Sequence, residues 1–255
     1  MNFISKISSL IGIVIIVFTA YSCGSGKITD IVKDQENIIE KQFSAEGEKL
    51  SFSFNAGPAH NHPTFAIWLE TSDGDLIQTL FVTKSIASGY FTFGDAGDGK
   101  WLKVPGEAKR PAALPYWLNR REIFQPEQPL LPTKNQPVPD AYTGATPSGD
   151  FIVKAITLKQ LPKVFRVLVE VNQPWDWNKF WTNEKFSGDS DYKTSAQPSL
   201  VYAVQVNLND LMEEYHLNPI GHGHPSGKNG QLYTDISGFT TALQIFQSIS
   251  FIVNR

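Results

Sequence analysis

The sequence predicts a mostly β chain, a single immunoglobulin-like antiparallel β-sandwich carrying a long proline-rich insertion. Three observations predict it. Apolar residues recur in short alternating or β-branched blocks of strand length. Turn formers punctuate those blocks, most clearly at Ser72-Asp73-Gly74-Asp75. Helix-period patterns are scarce, which leaves two stacked sheets as the way to bury the apolar faces.

Taken in order, Leu50–Phe54 (LSFSF) alternates apolar and polar residues, the period of a half-buried strand. Thr64–Glu70 (TFAIWLE) and Leu76–Thr83 (LIQTLFVT) flank the Asp-Gly turn and read as a hairpin, with Asp73 and Asp75 serving turn chemistry rather than catalysis. Nine of the sixteen prolines then fall between Pro105 and Pro147, close to Trp101, Tyr116 and Trp117. A stretch this long without regular patterning is functional or disordered, and its aromatics argue that it packs down. Phe151–Leu158 and Val164–Val171 form a second strand pair, and Leu200–Leu208 and Ala242–Val253 are further strands. Only Asp210–Tyr215 and parts of 106–123 have helical character.

The first 22 residues differ from the rest. A start with the single charge of Lys6 leads into the apolar run Leu10–Phe18 and small residues before Cys23. That is the layout of a secretory signal, whose apolar stretch is roughly 7–15 residues, and it falls short of the about 20 needed to span a bilayer as a helix. Cys23 is the chain's only cysteine, so no internal disulfide exists. With Ser22 before it and Gly24-Ser25-Gly26 after it, Cys23 resembles the lipidated cysteine of bacterial lipoproteins. The resemblance implies a signal peptide over 1–22, a lipid-anchored tether over 23–47, and a β-sandwich domain over 48–255. It places that domain in the cell envelope, held to the membrane by its lipid, on the periplasmic or surface face of the outer membrane. The net charge is −3 at pH 7 and no basic block occurs, which excludes a nucleic-acid partner.

The stretch with most chemical content is Asp140-Ala-Tyr-Thr143-Gly144-Ala145-Thr146. It resembles the acceptor signature of periplasmic flavin transferases: Asp, two variable residues, Ser or Thr, Gly, Ala, then Ser or Thr. In that family the last hydroxyl takes FMN through a phosphoester, which by position is Thr146, with Asp140, Thr143, Gly144 and Ala145 completing the signature. An acceptor hydroxyl must reach a foreign active site, so it is expected on an exposed turn. Gly144 permits unusual dihedrals there, and Ala145 adds no bulk. Pro147 departs from the pattern, in which another polar residue usually follows. The bland alternative is a turn, TGATPSG, leading into the strand at Phe151.

The order of Phe65–Glu70, Gln78-Thr79-Leu80, the Thr143–Pro147 loop and Leu168–Asn172 is similar to a predicted periplasmic family, domain of unknown function 2271. That resemblance spans about Leu50 to Val253 on short motifs. It implies a β-rich envelope domain associated with flavin transferases and membrane-bound reductases, and supplies no catalytic residues. Thr146–Phe151 also resembles the Thr-Pro-x-Gly-x-Phe strand start of L,D-transpeptidases. Those enzymes need a cysteine downstream of a His-Gly segment; His222-Gly223 is present, but the only cysteine is Cys23.

Four histidines form two His-x-His pairs, His60/His62 and His222/His224. On extended backbone each pair faces one side, and two pairs meeting would give four nitrogen ligands for zinc or copper. The alternative is two solvated loops beside Pro63 and Pro225. The loop Gly221–Gly230, with Ser226 and Lys228, also suggests a phosphate cradle without the spacing of a P-loop. Asp95 and Asp98 (FGDAGDGK) look like a solvated turn more than a calcium loop. Trp175, Trp177 and Trp181 form either a satellite core or a stacking surface for a sugar or flat ring. No Gly-x-Ser-x-Gly elbow occurs. The sequence thus favours a carrier or binding protein over a catalyst: an electron carrier with FMN on Thr146, or a binding or structural lipoprotein using its tryptophan loop.

Overall fold

The computed structural model describes residues 37–42, 44, 46–97, 100–124, 129–138 and 142–254, without the side chains of Lys41 and Tyr142. Residues 1–22, expected to be a signal, together with Cys23 and Asp140, lie outside the described residues. The strands are β1 Asn37–Gln42, β2 Lys49–Ala56, β3 Thr64–Glu70, β4 Leu76–Thr83, β5 Tyr90–Phe91, β6 Asp95–Gly97, β7 Lys100–Trp101, β8 Gly106–Glu107, β9 Tyr142–Gly144, β10 Phe151–Ile156, β11 Val164–Asn172, β12 Leu200–Asn207, β13 Tyr215–His216, β14 Asn218–His222 and β15 Phe246–Asn254. Two short α-helices, α1 Lys84–Ser88 and α2 Pro115–Arg120, interrupt them. One sheet runs β1-β10-β2-β15-β13 and the other β14-β12-β11-β3-β4-β9, the sandwich that the alternating blocks predict. It is not wholly antiparallel, because β1 pairs with β10, and β4 with β9, in parallel.

The interior follows from period-2 alternation. Phe52 and Phe54 of β2, Phe151 and Val153 of β10, and Phe251 and Ile249 of β15 face Phe65, Ile67 and Leu69 of β3 and Phe165, Val167 and Val169 of β11. Phe54 lies at the centre, stacked on Phe151 at 4.6 Å and tilted against Phe65 at 5.2 Å. The β3–β4 hairpin forms as predicted, with Gly74 at φ 94° and the Thr71 carbonyl accepting from Gly74 N–H at 3.1 Å.

β3 is buried along its whole length, which one sandwich face does not explain. The proline-rich insertion packs onto the opposite face of the six-stranded sheet. Ala66, Trp68 and Leu168 lie there beneath Ile86, Phe91, Leu114, Tyr116, Trp117 and Val138 as a second core. Glu170, fully buried on this face, fixes α2. Its carboxylate accepts from Tyr116 N–H (3.1 Å), Trp117 N–H (2.7 Å) and the Ser199 hydroxyl (2.5 Å). Leu114, in the cap position, makes no side-chain cap bond, and Pro115 needs no acceptor. A carboxylate from the sheet therefore does the work of an N-cap. Burial pushes the Glu170 carboxyl up to about 7, against the opposing pull of Ser199 and the two N–H donors. Glu70 is likewise buried, accepting from the Trp68 indole at 2.8 Å, with Arg120 and Arg166 each at 3.4 Å.

Four expectations are corrected. Residues 37–42, assigned to the tether, form edge strand β1 of the five-stranded sheet. β10 and β11 do not pair; they sit in opposite sheets, so 157–163 arches across the sandwich. Ala242–Gln244 begins no strand but lies in a 3-10 turn, and β15 starts at Phe246. Residues 210–214 are irregular rather than helical, held by the Tyr215 hydroxyl accepting from Met212 N–H at 3.1 Å. No helix among the described residues is long and apolar enough to cross a membrane.

Candidate functional site

Thr146 follows β9 in an irregular loop that leads to β10. It is not the exposed acceptor that its motif predicts. The residue is 8% exposed, and its hydroxyl donates to the Pro63 carbonyl at 2.6 Å. The first histidine pair closes over the same loop. His60 Nε2 donates to the Pro147 carbonyl at 2.9 Å, and His62 Nδ1 lies 3.4 Å from the Thr146 carbonyl. Thr143 and Gly144 are half-buried and Ala145 is exposed. The four described motif positions therefore do not present one open acceptor surface.

The second pair lies elsewhere. His222 ends β14, and its ring stacks on Tyr233 at 5.3 Å and meets Trp181 edge-on at 5.8 Å. His224 stands 5.9 Å from the same Tyr233 ring. Among the described residues no three His, Cys, Asp or Glu side chains group as metal ligands, so the four histidines do not converge on an ion. The extended backbone assumed for the first pair also fails, because His62 has φ 50°.

A cavity of about 440 Å³ opens between the 181–192 loop and the 222–233 loop. Trp181, Phe186, His222 and Tyr233 form its aromatic walls, and Asp189, His224, Ser226 and Lys228 supply polar groups. Asp189 joins the two loops. It accepts from Tyr192 N–H (3.1 Å) and from the Ser226 hydroxyl, and pairs with Lys228 at 3.1 Å. Partial burial would raise its carboxyl, but these donors more than offset that and hold it below the ordinary range.

Hydrogen bonding sets the two imidazole tautomers. His222 Nδ1 lies 2.7 Å from the Gly223 carbonyl, which only accepts, so Nδ1 carries the proton and Nε2 is a bare acceptor. His224 Nδ1 accepts from Ser226 N–H at 3.0 Å, so its Nε2 carries the proton. Desolvation lowers both rings below the usual histidine range, and Lys228 lowers His224 further. Both are therefore neutral at pH 7, one offering an acceptor and the other a donor.

The indole N–H of Trp181 is the group without a match. Trp181 is 6% exposed, and its Nε1 is buried with no acceptor among the described residues. A buried donor left unmade costs about 1–3 kcal/mol, and such a group calls for a water, ion or ligand.

The tryptophan cluster divides. Trp181 lines the cavity, Trp177 packs edge-on against Tyr192 at 5.6 Å, and Trp175 turns away to Phe93 and Trp101. The 221–230 loop is no phosphate cradle. A Cβ on Gly223 would lie 2.6 Å from Pro115 Cγ, and one on Gly227 (φ 70°) 2.2 Å from the Pro111 carbonyl. Its glycines permit contact with the insertion instead. Asp95 lies in the short β6–β7 ribbon, and Asp98 is outside the described residues. Asp189, Phe186 and Tyr233 were not foreseen. Their only local signal was proximity to the tryptophan cluster and to the His-Gly-His loop. No protein-family model, curated protein or solved structure matches this chain, so the functional reading rests on its own geometry.

Proposed function

We propose that the chain is an exported, lipid-anchored binding protein whose ligand site is the cavity beside Trp181. The N-terminal pattern ending at Cys23 supports the export and anchoring. The observation that carries the binding reading is the buried, unmatched indole N–H of Trp181 in an aromatic wall. Flat aromatic faces stack on rings, and a neutral donor with a neutral acceptor beside them suits an uncharged ligand. A sugar, packing a C–H face on the aromatic wall and offering a hydroxyl or carbonyl oxygen to the N–H, fits this chemistry. The test is a thermal-shift and fluorescence titration with glucose, galactose, mannose and N-acetylglucosamine. At least one should bind wild type and lose about tenfold or more in Trp181→Phe, which keeps a ring and removes the N–H. No binding by any of the four, or equal binding by the variant, sinks the proposal.

A second reading, the covalent-flavin electron carrier served by a flavin transferase and a membrane reductase, keeps the Asp140–Thr146 motif as its support. It requires Thr146 to leave the Pro63 carbonyl and its loop to open. Intact mass after coexpression with a flavin transferase tests it: a gain of one FMN minus water in wild type and none in Thr146→Ala supports it, and no gain ends it.

A further inference from the structure

A second feature lies in the insertion, away from the residues that line the Trp181 cavity. Arg110 is 9% exposed, yet it makes no hydrogen bond or ion pair among the described residues, and its Nε is buried without an acceptor. Its guanidinium sits over three rings, 4.1 Å from the centroid of Phe91, 4.9 Å from Trp101 and 5.8 Å from Trp175. Burial lowers it to about 10, and Asp95, the acid that acts on it, partly opposes this. Aromatic faces hold a cation through their quadrupoles, but they accept none of its in-plane N–H groups. A guanidinium is built to donate a fork of hydrogen bonds to a carboxylate or phosphate.

The neighbouring backbone gives an independent sign. Trp175 adopts φ 62°, left-handed space that a bulky residue rarely enters. It remains 42% exposed, meeting Phe93 at 5.6 Å and Trp101 at 6.4 Å. Packing alone does not call for this, because a glycine would hold the turn without strain. Strain of this kind collects where a ligand is held.

We infer that Arg110 and Trp175 form a binding site for a carboxylate-bearing ring such as an acidic sugar, the anion paired to the guanidinium and the ring packed on the exposed indole. The site does not depend on the cavity beside Trp181 and takes an anionic ligand where that cavity takes an uncharged one.

The experiment titrates the full-length protein with glucuronate, and with glucose as the uncharged control, following tryptophan fluorescence and checking fold by circular dichroism. In a Trp181→Phe background, where the neutral-ligand cavity is weakened, the protein should respond saturably to glucuronate at concentrations where glucose gives no change. Arg110→Met should lose about tenfold or more in glucuronate affinity, the scale of a charge-assisted pair. Trp175→Gly, which suits the left-handed turn and so keeps the fold, should also weaken glucuronate binding. Trp181→Phe should leave it unchanged, which separates this site from the neutral-ligand cavity. A glucuronate response equal to that of glucose in the Trp181→Phe background, or one that survives in Trp175→Gly, overturns the inference even if Arg110→Met does not fold.

Discussion

At His60 and His62 the imidazoles engage the carbonyls of Pro147 and Thr146, and the hydroxyl between them is donated to Pro63. At His222 and His224 the same spacing serves a different end: both rings line a cavity, and the donor beside them, the Trp181 indole, has no acceptor. The first region closes on itself, with His60 Nδ1 its one buried unmatched atom among the described residues. The second leaves a donor over for something else. Two like His-x-His patterns therefore differ in what they leave available, since a polar group already bonded within the fold has little left for a ligand.

The largest effect is expected where matching is most complete. Glu170→Ala strips the acceptor from Tyr116 N–H, Trp117 N–H and the Ser199 hydroxyl at once. At about 1–3 kcal/mol for each buried donor left unmade, partly relieved by water entering the gap, the loss should be roughly 3–5 kcal/mol in urea unfolding. A loss under about 1 kcal/mol would show that the insertion does not depend on this carboxylate. Next in size is Thr146→Val, which keeps the shape and removes the hydroxyl that closes the first region. It should cost about 1–2 kcal/mol. An unchanged stability would mean that the loop is already open, and would restore Thr146 as an accessible acceptor.

Much of the sandwich was legible because its signals are local. The Asp-Gly turn and alternating blocks on either side specify β3 and β4 without reference to the rest of the chain. β1 was not, because Asn-Ile-Ile-Glu-Lys-Gln is a polar edge strand held by backbone pairing to β10. Glu170 was not, because the helix it caps lies 53 residues earlier. At the candidate site the ingredients were visible singly: a tryptophan cluster, a His-Gly-His segment, a loop with Ser226 and Lys228. Their meeting was not, since it depends on Asp189 tying two loops together. The apparent unity of Trp175, Trp177 and Trp181 misled for a related reason. A left-handed turn at Trp175 sends its ring away from the others.

Acid should separate the regions more gently. Burial raises Glu170 from 4.5 to about 7, so across that window the folded chain keeps a proton that the unfolded chain releases, and stability falls as pH rises. His222 and His224 are lowered from 6.5 by burial, so below 6.5 the unfolded chain takes up protons first, and stability falls as pH drops. The two slopes oppose each other. Glu170→Gln removes the first and should leave a steeper loss of stability on going from pH 7 to pH 5. Urea midpoints at pH 5, 6, 7 and 8 check this, and a shallower loss in the variant would reverse the assignment.

The smallest effect on the fold is expected at the group that matters most for the comparison. Trp181→Phe removes an indole N–H that has no acceptor and keeps a ring against Phe239 and His222. Losing the outer part of the indole costs packing, whereas losing an unmatched buried donor relieves a penalty, and each is on the order of 1 kcal/mol. The two nearly cancel, so stability without ligand should stay within about 1 kcal/mol of wild type. Had the N–H been matched inside the fold, as the Trp68 indole is by Glu70 and the Trp117 indole by Thr79, its removal would also strand an acceptor. Trp68→Phe is thus the internal control and should cost more than Trp181→Phe in the same urea titration. If the two variants lose equally, Trp181 is an ordinary core residue, and the contrast between a closed and an open histidine pair fails with it.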